Sequence, residues 1–295
     1  MSEFQLSCCS AADLSEAYFK ERDITYLCFH FEIDGQDYMD DLGRTISPQE
    51  LFKRMDAGAK TKTSQVAIGE YTEYFRAVLS EGRDLLHVTL SSGLTGTYNS
   101  ALIAKEIVEE EYPDRKIYVI DSLCASSGYG LFVDKLADMR DAGIDIDAVY
   151  EWGEANKLRL QHWFFSTDLT YYIRGGRVSK TAGAIGTVLN ICPLLNVDYQ
   201  GHLIPREKVR TKRRVIRRTV DKMIELAENG TEYNGRVFIS HSLCEDDAKA
   251  VAELIEKKFP KITMPIQIFP IGATIGSHSG PGTVALFFWG AERKD

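Results

Sequence analysis

The chain has 295 residues, 44% of them hydrophobic and 26% charged, with a formal net charge of −8. That length accommodates one large domain or two of ordinary size, each with its own core, and the composition is that of a globular protein rather than a disordered or fibrous one. The acidic balance argues against a general nucleic-acid binder, and apolar runs such as 284–289 fall far short of the roughly 20 residues of a spanning helix, so no integral membrane protein is expected.

Residues 1–10 lack the basic leader and apolar core of a secretory signal. The six cysteines, at 8, 9, 28, 124, 192 and 244, form no Cys-x-x-Cys pair and have no histidine at metal-ligand spacing. Reduced thiols in a cytoplasmic protein are therefore expected, with no metal site and no disulfide scaffold.

Apolar runs at 4–8, 25–31, 85–90 and 116–120 read as strands, and helical patterns at 71–79, 100–108 and 128–139 alternate with them. That alternation predicts an α/β fold with a parallel sheet covered by helices. Asp34-Gly35-Gln36 marks a turn, and Ser47-Pro48 opens a helix. From about residue 160 the runs shorten, with strands at 163–166, 194–198 and 202–205 and a hairpin turn at Tyr199-Gln200-Gly201-His202. A small-residue helix at 181–189, helices at 211–228 and 245–259, and strands at 236–240, 265–269 and 283–289 complete the pattern. The change of pattern places a domain boundary near 160, giving domains 1–160 and 161–295.

Three polar clusters stand out. Ser91-Ser92-Gly93-Leu94-Thr95-Gly96-Thr97 lies between a strand and a helix, where glycines admit close backbone approach and hydroxyls sit beside a positive helix end. It reads either as an anion site or as a hydroxyl-rich helix cap. Lys60-Thr61-Lys62-Thr63-Ser64-Gln65 forms a second hydroxyl loop, which either joins the first in the crevice beyond the strand ends or caps the helix near Gly69. The third, residues 271–282, is a glycine-dense loop around His278. It fails the esterase elbow pattern, because the central residue is His and no helix follows.

Arg174-Gly175-Gly176-Arg177 is a basic glycine turn without the spacing of a phosphate loop. Arg206, Lys208, Arg210, Lys212, Arg213, Arg214, Arg217 and Arg218 form a basic run that is either a solvated face or a surface for an acidic partner. His30, His87, His162, His202 and His241 stand on or beside strands without ligand-like partners and read as structural. Asp121-Ser122 after a strand reads either as a nucleotide contact or, the commoner use, as a loop anchor through side-chain-to-backbone hydrogen bonds.

Taken in order, Lys62-Thr63-Ser64-Gln65, Ser91 to Tyr98, Ile120-Asp121-Ser122, Arg174 to Arg177, Asn190-Ile191-Cys192-Pro193-Leu194-Leu195 and Ile275 to Gly282 resemble the DegV family of bacterial fatty-acid-binding proteins. The resemblance covers essentially the whole chain. It implies a two-domain DegV-like fold, an N-terminal parallel-sheet α/β/α domain plus a C-terminal α/β domain, with one long-chain fatty acid between them. It further implies that the carboxylate is met by Thr63, Ser64, Ser92, Thr95, Gly96 and His278, as a hydrogen-bonding cradle and not a nucleophile–base pair. No catalytic residue, cofactor or metal is implied. Catalysis would belong to the ATP-binding subunit of a fatty acid kinase, which makes an acyl phosphate for phospholipid synthesis, and Arg206, Lys208 and Arg210 would be its docking surface. Transient contact with a membrane is compatible with this.

Two other readings stay open: a transferase using the same loops as a phosphate site for a small molecule, and a lipid-sensing or storage protein without a kinase. One departure bears on the choice. The family opens with Thr-Asp-Ser-Thr where this chain has Cys8-Cys9-Ser10-Ala11, which removes a charge and a hydroxyl expected near the head-group crevice. Ser10 and Asp13 are expected to cap the first helix.

Overall fold

The computed structural model describes residues 4–179 and 191–294. The first strands are β1 (Phe4–Cys9), β2 (Ile24–Leu27), β3 (His30–Ile33), β4 (Gln36–Met39), β5 (Thr61–Ser64), β6 (Asp84–Thr89) and β7 (Ile117–Asp121). Four of them make a wholly parallel sheet in the order β2-β1-β6-β7. Helices α1 (Glu16–Glu21), α2 (Pro48–Asp56), α3 (Ile68–Ser80), α4 (Thr97–Glu111), α5 (Ser126–Asp141) and α6 (Ile146–Asn156) supply the crossovers and cover. On α3 the buried side chains are Tyr71, Phe75, Val78 and Leu79, the single stripe that a helix on a sheet needs.

The remaining elements are β8 (Leu160–Ser166), α7 (Thr170–Arg174), β9 (Ile191–Val197), β10 (Leu203–Arg210), α8 (Lys212–Leu226), β11 (Phe238–His241), α9 (Glu245–Lys258), β12 (Gln267–Pro270), α10 (Ala273–Ser279) and β13 (Thr283–Trp289). Their strands form a mixed six-stranded sheet, β10-β9-β8-β13-β11-β12, in which only β11 and β12 run parallel. The central strands β8 and β13 are buried on both faces, which explains why Trp163-Phe164-Phe165 and Leu286-Phe287-Phe288 are apolar without interruption. Phe164, Ala285 and Phe287 face the core shared with the first sheet, whereas Trp163, Phe165, Leu286 and Phe288 face a second core under α8 and α9. Helix α5 lies between the sheets and is buried nearly all round.

Several expectations are corrected. The run 25–31 is two strands in two sheets: the Phe29 amide donates to Ser10 Oγ (3.0 Å) and its carbonyl accepts from Asp40 (2.8 Å), so the backbone leaves the first sheet there. The second of these strands, β3, joins β4 and β5 in a small antiparallel sheet. Thr63 and Ser64 are thus on a strand, not in a loop or cap, and α3 is closed by Glu70, whose carboxylate accepts the Ala67 amide at 2.7 Å. Ser15, not Ser10 or Asp13, caps α1. Part of the glycine-dense segment around His278 is helix α10 rather than loop. Arg206, Lys208 and Arg210 alternate along β10, an edge strand. The expected helix at 181–189 lies outside the described residues.

Candidate functional site

A cavity of about 410 Å³ lies between the sheets, within the size range of small-molecule pockets. Phe29, Leu90 and Ala125, which line it from the first half, follow the carboxyl ends of β2, β6 and β7, where parallel sheets place their ligands. The inner face of the second sheet supplies Phe164, Val197, Leu203, Ala285 and Phe287 opposite. These walls are apolar because the alternation on β8 and β13 aims one residue in two at the shared core.

The polar part of the wall comes from β5, α4's leading loop, α10 and the turn after α7. His278 Nε2 lies 2.7 Å from Thr63 Oγ1, and its Nδ1 lies 3.3 Å from Arg177 Nη1. A guanidinium only donates, so Nδ1 accepts and the ring's proton is on Nε2, donated to Thr63. The Thr63 hydroxyl hydrogen is thereby left free for a further acceptor. Burial first, and Arg177 second, push His278 down from its ordinary value of 6.5 to about 4, which keeps the ring neutral at pH 7. Gly175 makes this arrangement fit: a Cβ there would stand 2.3 Å from His278 Nδ1.

Arg177 also donates to the carbonyls of Gly175 (2.6 Å) and Leu94 (3.1 Å). Among the described residues no carboxylate pairs with it, and burial lowers its affinity for its proton. Beside it, the Gln65 carboxamide accepts from Thr95 Oγ1 at 3.3 Å and donates to Ser100 Oγ at 2.7 Å. Of the expected carboxylate ligands, Thr63, Ser64, Thr95, Gly96 and His278 all line the cavity. Ser92 does not: it is exposed, with its amide donating to Asp121 Oδ1 at 3.1 Å.

Arg177 and Gln65, which residue type alone does not mark as contacts for a ligand, stand on the same wall. His162, expected to be merely structural, lines the cavity. Its Nε2 accepts the Ala125 amide (3.3 Å) and its Nδ1 lies 3.2 Å from the Leu160 carbonyl, so both nitrogens are satisfied within the wall.

The Ser91–Thr97 loop has a second task. Ser91 is buried and its hydroxyl donates to the Gly201 carbonyl at 2.9 Å. A Cβ on Gly93 would stand 2.7 Å from the Gln200 carbonyl oxygen, so glycine there lets the loop lie directly on the β9–β10 turn. From the other side Arg293, itself 4% exposed, donates to the carbonyls of Asp198 (2.8 Å) and Leu123 (3.0 Å).

The Cys8-Cys9 departure does not reach the cavity. Cys9 is fully buried at the end of β1, with Sγ 3.2 Å from Tyr71 Oη, which in turn is 2.8 Å from Thr97 Oγ1. It therefore backs the start of α4. Burial raises its thiol to about 12 and lowers nearby His87 to about 3, so this Cys–His neighbourhood has neither a thiolate nor a ready base.

On the outer edge of the second sheet Arg206, Lys208 and Arg210 are exposed. Arg206 donates to Asn196 Oδ1 at 2.8 Å. Lys212 and Arg218 are taken up by Asp247 and Glu207, whereas Lys208 and Arg210 have no such partner among the described residues.

A parallel sheet and a mixed sheet enclosing an apolar cavity, with a neutral imidazole, hydroxyls and an arginine that has no carboxylate partner among the described residues on its wall, define the class of this α/β protein. The chain belongs to the DegV family, whose model, described as "Uncharacterised protein, DegV family", matches residues 9–290. It is 38% identical over 294 residues to a DegV domain-containing protein of Clostridium perfringens, covering 100% of both chains. The Thermotoga maritima protein TM841, whose structure is said to reveal fatty acid binding function, superposes with a TM-score of 0.83 at 27% identity, over 99% of this chain and 100% of that one. The Streptococcus pneumoniae fatty acid kinase B3 protein, loaded with linoleic acid, shares the fold with a TM-score of 0.83 at 24% identity, over 98% and 99% of the two chains. Among the described residues no helix is long and apolar enough to cross a membrane.

Proposed function

We propose that the protein carries one long-chain fatty acid, its tail in the cavity and its carboxylate at Thr63 and Arg177, which His278 links, and presents that carboxylate to a separate fatty acid kinase. The observation that carries the reading is Arg177: a half-buried cation on the wall of an apolar cavity with no carboxylate partner among the described residues. An unpaired charge in such a place is costly, and an anionic head group relieves the cost. Of its five N–H groups three are engaged among the described residues, with Gly175, Leu94 and His278, and the other two have no partner there. The free hydrogen of Thr63 supplies another donor, and Ser64, Thr95 and the Gly96 backbone stand on the same wall.

The division of work follows from magnitudes. Burying a methylene is worth roughly 0.8 kcal/mol, so a tail of about 16 carbons offers on the order of 12 kcal/mol before association costs. Affinity therefore resides in the tail, and the polar cluster orients the head group. Pushed down to about 4 and with both ring nitrogens engaged, His278 is a weak base and nucleophile; it holds Thr63 in place. The carboxylate thus keeps its nucleophilic oxygen for an incoming phosphoryl group, with chemistry left to the kinase. Support for a kinase partner is the likeness to the pneumococcal protein together with Lys208 and Arg210, which have no carboxylate partner among the described residues, on an edge strand where Arg206 also lies. An acidic surface of the kinase is the complement.

Organic extraction of the purified protein followed by mass spectrometry tests the first part, with one equivalent of a long-chain fatty acid expected. Reconstitution with a fatty acid kinase and ATP tests the second. Acyl phosphate should form, and its rate should fall at least tenfold in R206E/K208E/R210E while extracted lipid is unchanged. An empty protein, or unaltered turnover in the triple variant, refutes the corresponding part.

A further inference from the structure

We propose that Asp13 and Asp40 are positioning residues for His278: together they grip the first turn of α10 and so set where the imidazole meets Thr63. The backbone amides at the start of a helix have no partner within it, and one side chain just ahead of the helix is the usual remedy. Here two carboxylates from distant parts of the chain do the work. Asp13 Oδ1 accepts the Gly272 amide at 3.0 Å. Asp40 accepts the amides of Ala273 (3.3 Å) and Thr274 (3.0 Å) and the Thr274 hydroxyl.

Both carboxylates are almost wholly buried, at 4% and 2% exposure, and neither has a cation partner among the described residues. Burial raises both toward the protonated form, and the positive end of α10 is the compensating charge. Asp13 reaches its place in the left-handed region, with φ of 50°, and its other oxygen accepts from Ser126 at the first turn of α5. Two buried acids and a strained backbone are a costly way to end a helix of seven residues. What they secure is its orientation. Thr274 and His278 are one turn apart on a single face, and both line the cavity. A tilt of α10 would carry His278 away from Thr63 and Arg177. The inference rests on the fatty-acid reading only for the use made of His278.

The test is an NMR titration of the His278 ring in lipid-stripped full-length protein. Asp40→Asn is expected to raise its midpoint by at least one pH unit from about 4, and to abolish the protected Nε2 proton held by Thr63. Removing a nearby negative charge would by itself lower a histidine's midpoint, so a rise reports a ring that has moved toward water. Asp134→Asn is the control, since Asp134 is also buried but pairs with Arg22 and Arg236 away from α10. It should lower the melting temperature and leave His278 unmoved.

An unchanged midpoint in Asp40→Asn, or an equal rise in Asp134→Asn, overturns the proposal. Should Asp40→Asn not fold, Thr274→Val removes the one hydroxyl contact, and a smaller rise is expected; none overturns the proposal. Lipid content is measured separately by extraction, so its absence from the wild type would refute the fatty-acid reading and leave this test standing.

Discussion

Acidification from pH 7 to pH 5 should remove about 2 kcal/mol of stability through His278 alone. The ring's ordinary value of 6.5 falls to about 4 in the folded protein, because it is enclosed beside Arg177. In the window between these values the unfolded chain binds the proton and the folded chain does not, so stability is fully present above 6.5 and is lost as pH falls. At pH 5 the unfolded ring is almost wholly protonated and the folded ring almost wholly neutral, which gives the figure above; by pH 4 it reaches about 3 kcal/mol. His87, lowered to about 3, and His162, also lowered by burial, add slopes of the same sign. The measurement is therefore a comparison: urea unfolding of lipid-stripped wild type and His278→Gln at pH 7, 6 and 5. The wild type should lose about 2 kcal/mol more than the variant over that range. Equal slopes would refute the account of His278 as a buried neutral ring.

Other outcomes follow from the same geometry. Thr63→Val removes the acceptor of the His278 proton (2.7 Å) and should cost about 1 kcal/mol in the empty protein, while extraction recovers near wild-type lipid and acyl phosphate formation with a kinase falls at least tenfold. Arg293→Met strips donors from the carbonyls of Leu123, Asp198 and Lys157 and should cost about 3 kcal/mol or more, read from the denaturation midpoint. Gly93→Ala places a methyl 2.7 Å from the Gln200 oxygen and should cost about 1–3 kcal/mol. Amide exchange at Gln200 and His202 should accelerate in that variant, and unchanged protection would show that the loop does not rest on the turn.

The alternation of apolar runs and helical stripes was enough to read the parallel sheet, because β1, β6 and β7 are buried almost throughout and their apolar runs are interrupted only by single polar residues such as Gln5, Ser7 and His87. The β9–β10 hairpin was equally legible from Tyr199-Gln200-Gly201-His202, since turn chemistry is local. The break at Phe29 was not, because it is made by Ser10 and Asp40, residues far away in sequence. The same applies to α10: its seven residues, Ala-Thr-Ile-Gly-Ser-His-Ser, are mostly poor helix formers, and the acids that hold them come from elsewhere in the chain.

Hydroxyls, glycines and His278 could be picked out by type as site candidates, with a helix cap as the competing use of the hydroxyls, and Thr63, Ser64, Thr95, Gly96 and His278 line the cavity. Ser92 shows the limit of that reading, because neighbours on a loop point different ways and Ser91, Thr95 and Ser92 end in three different environments. Residue type and local pattern thus determined most of the elements, the family and most of the polar wall. The tertiary structure decided that Arg177 stands there without a carboxylate, that Cys9 backs α4, and that two buried aspartates hold His278. Each depends on which distant groups share a low-dielectric space, and that is a property of the packed chain, absent from any window of its sequence.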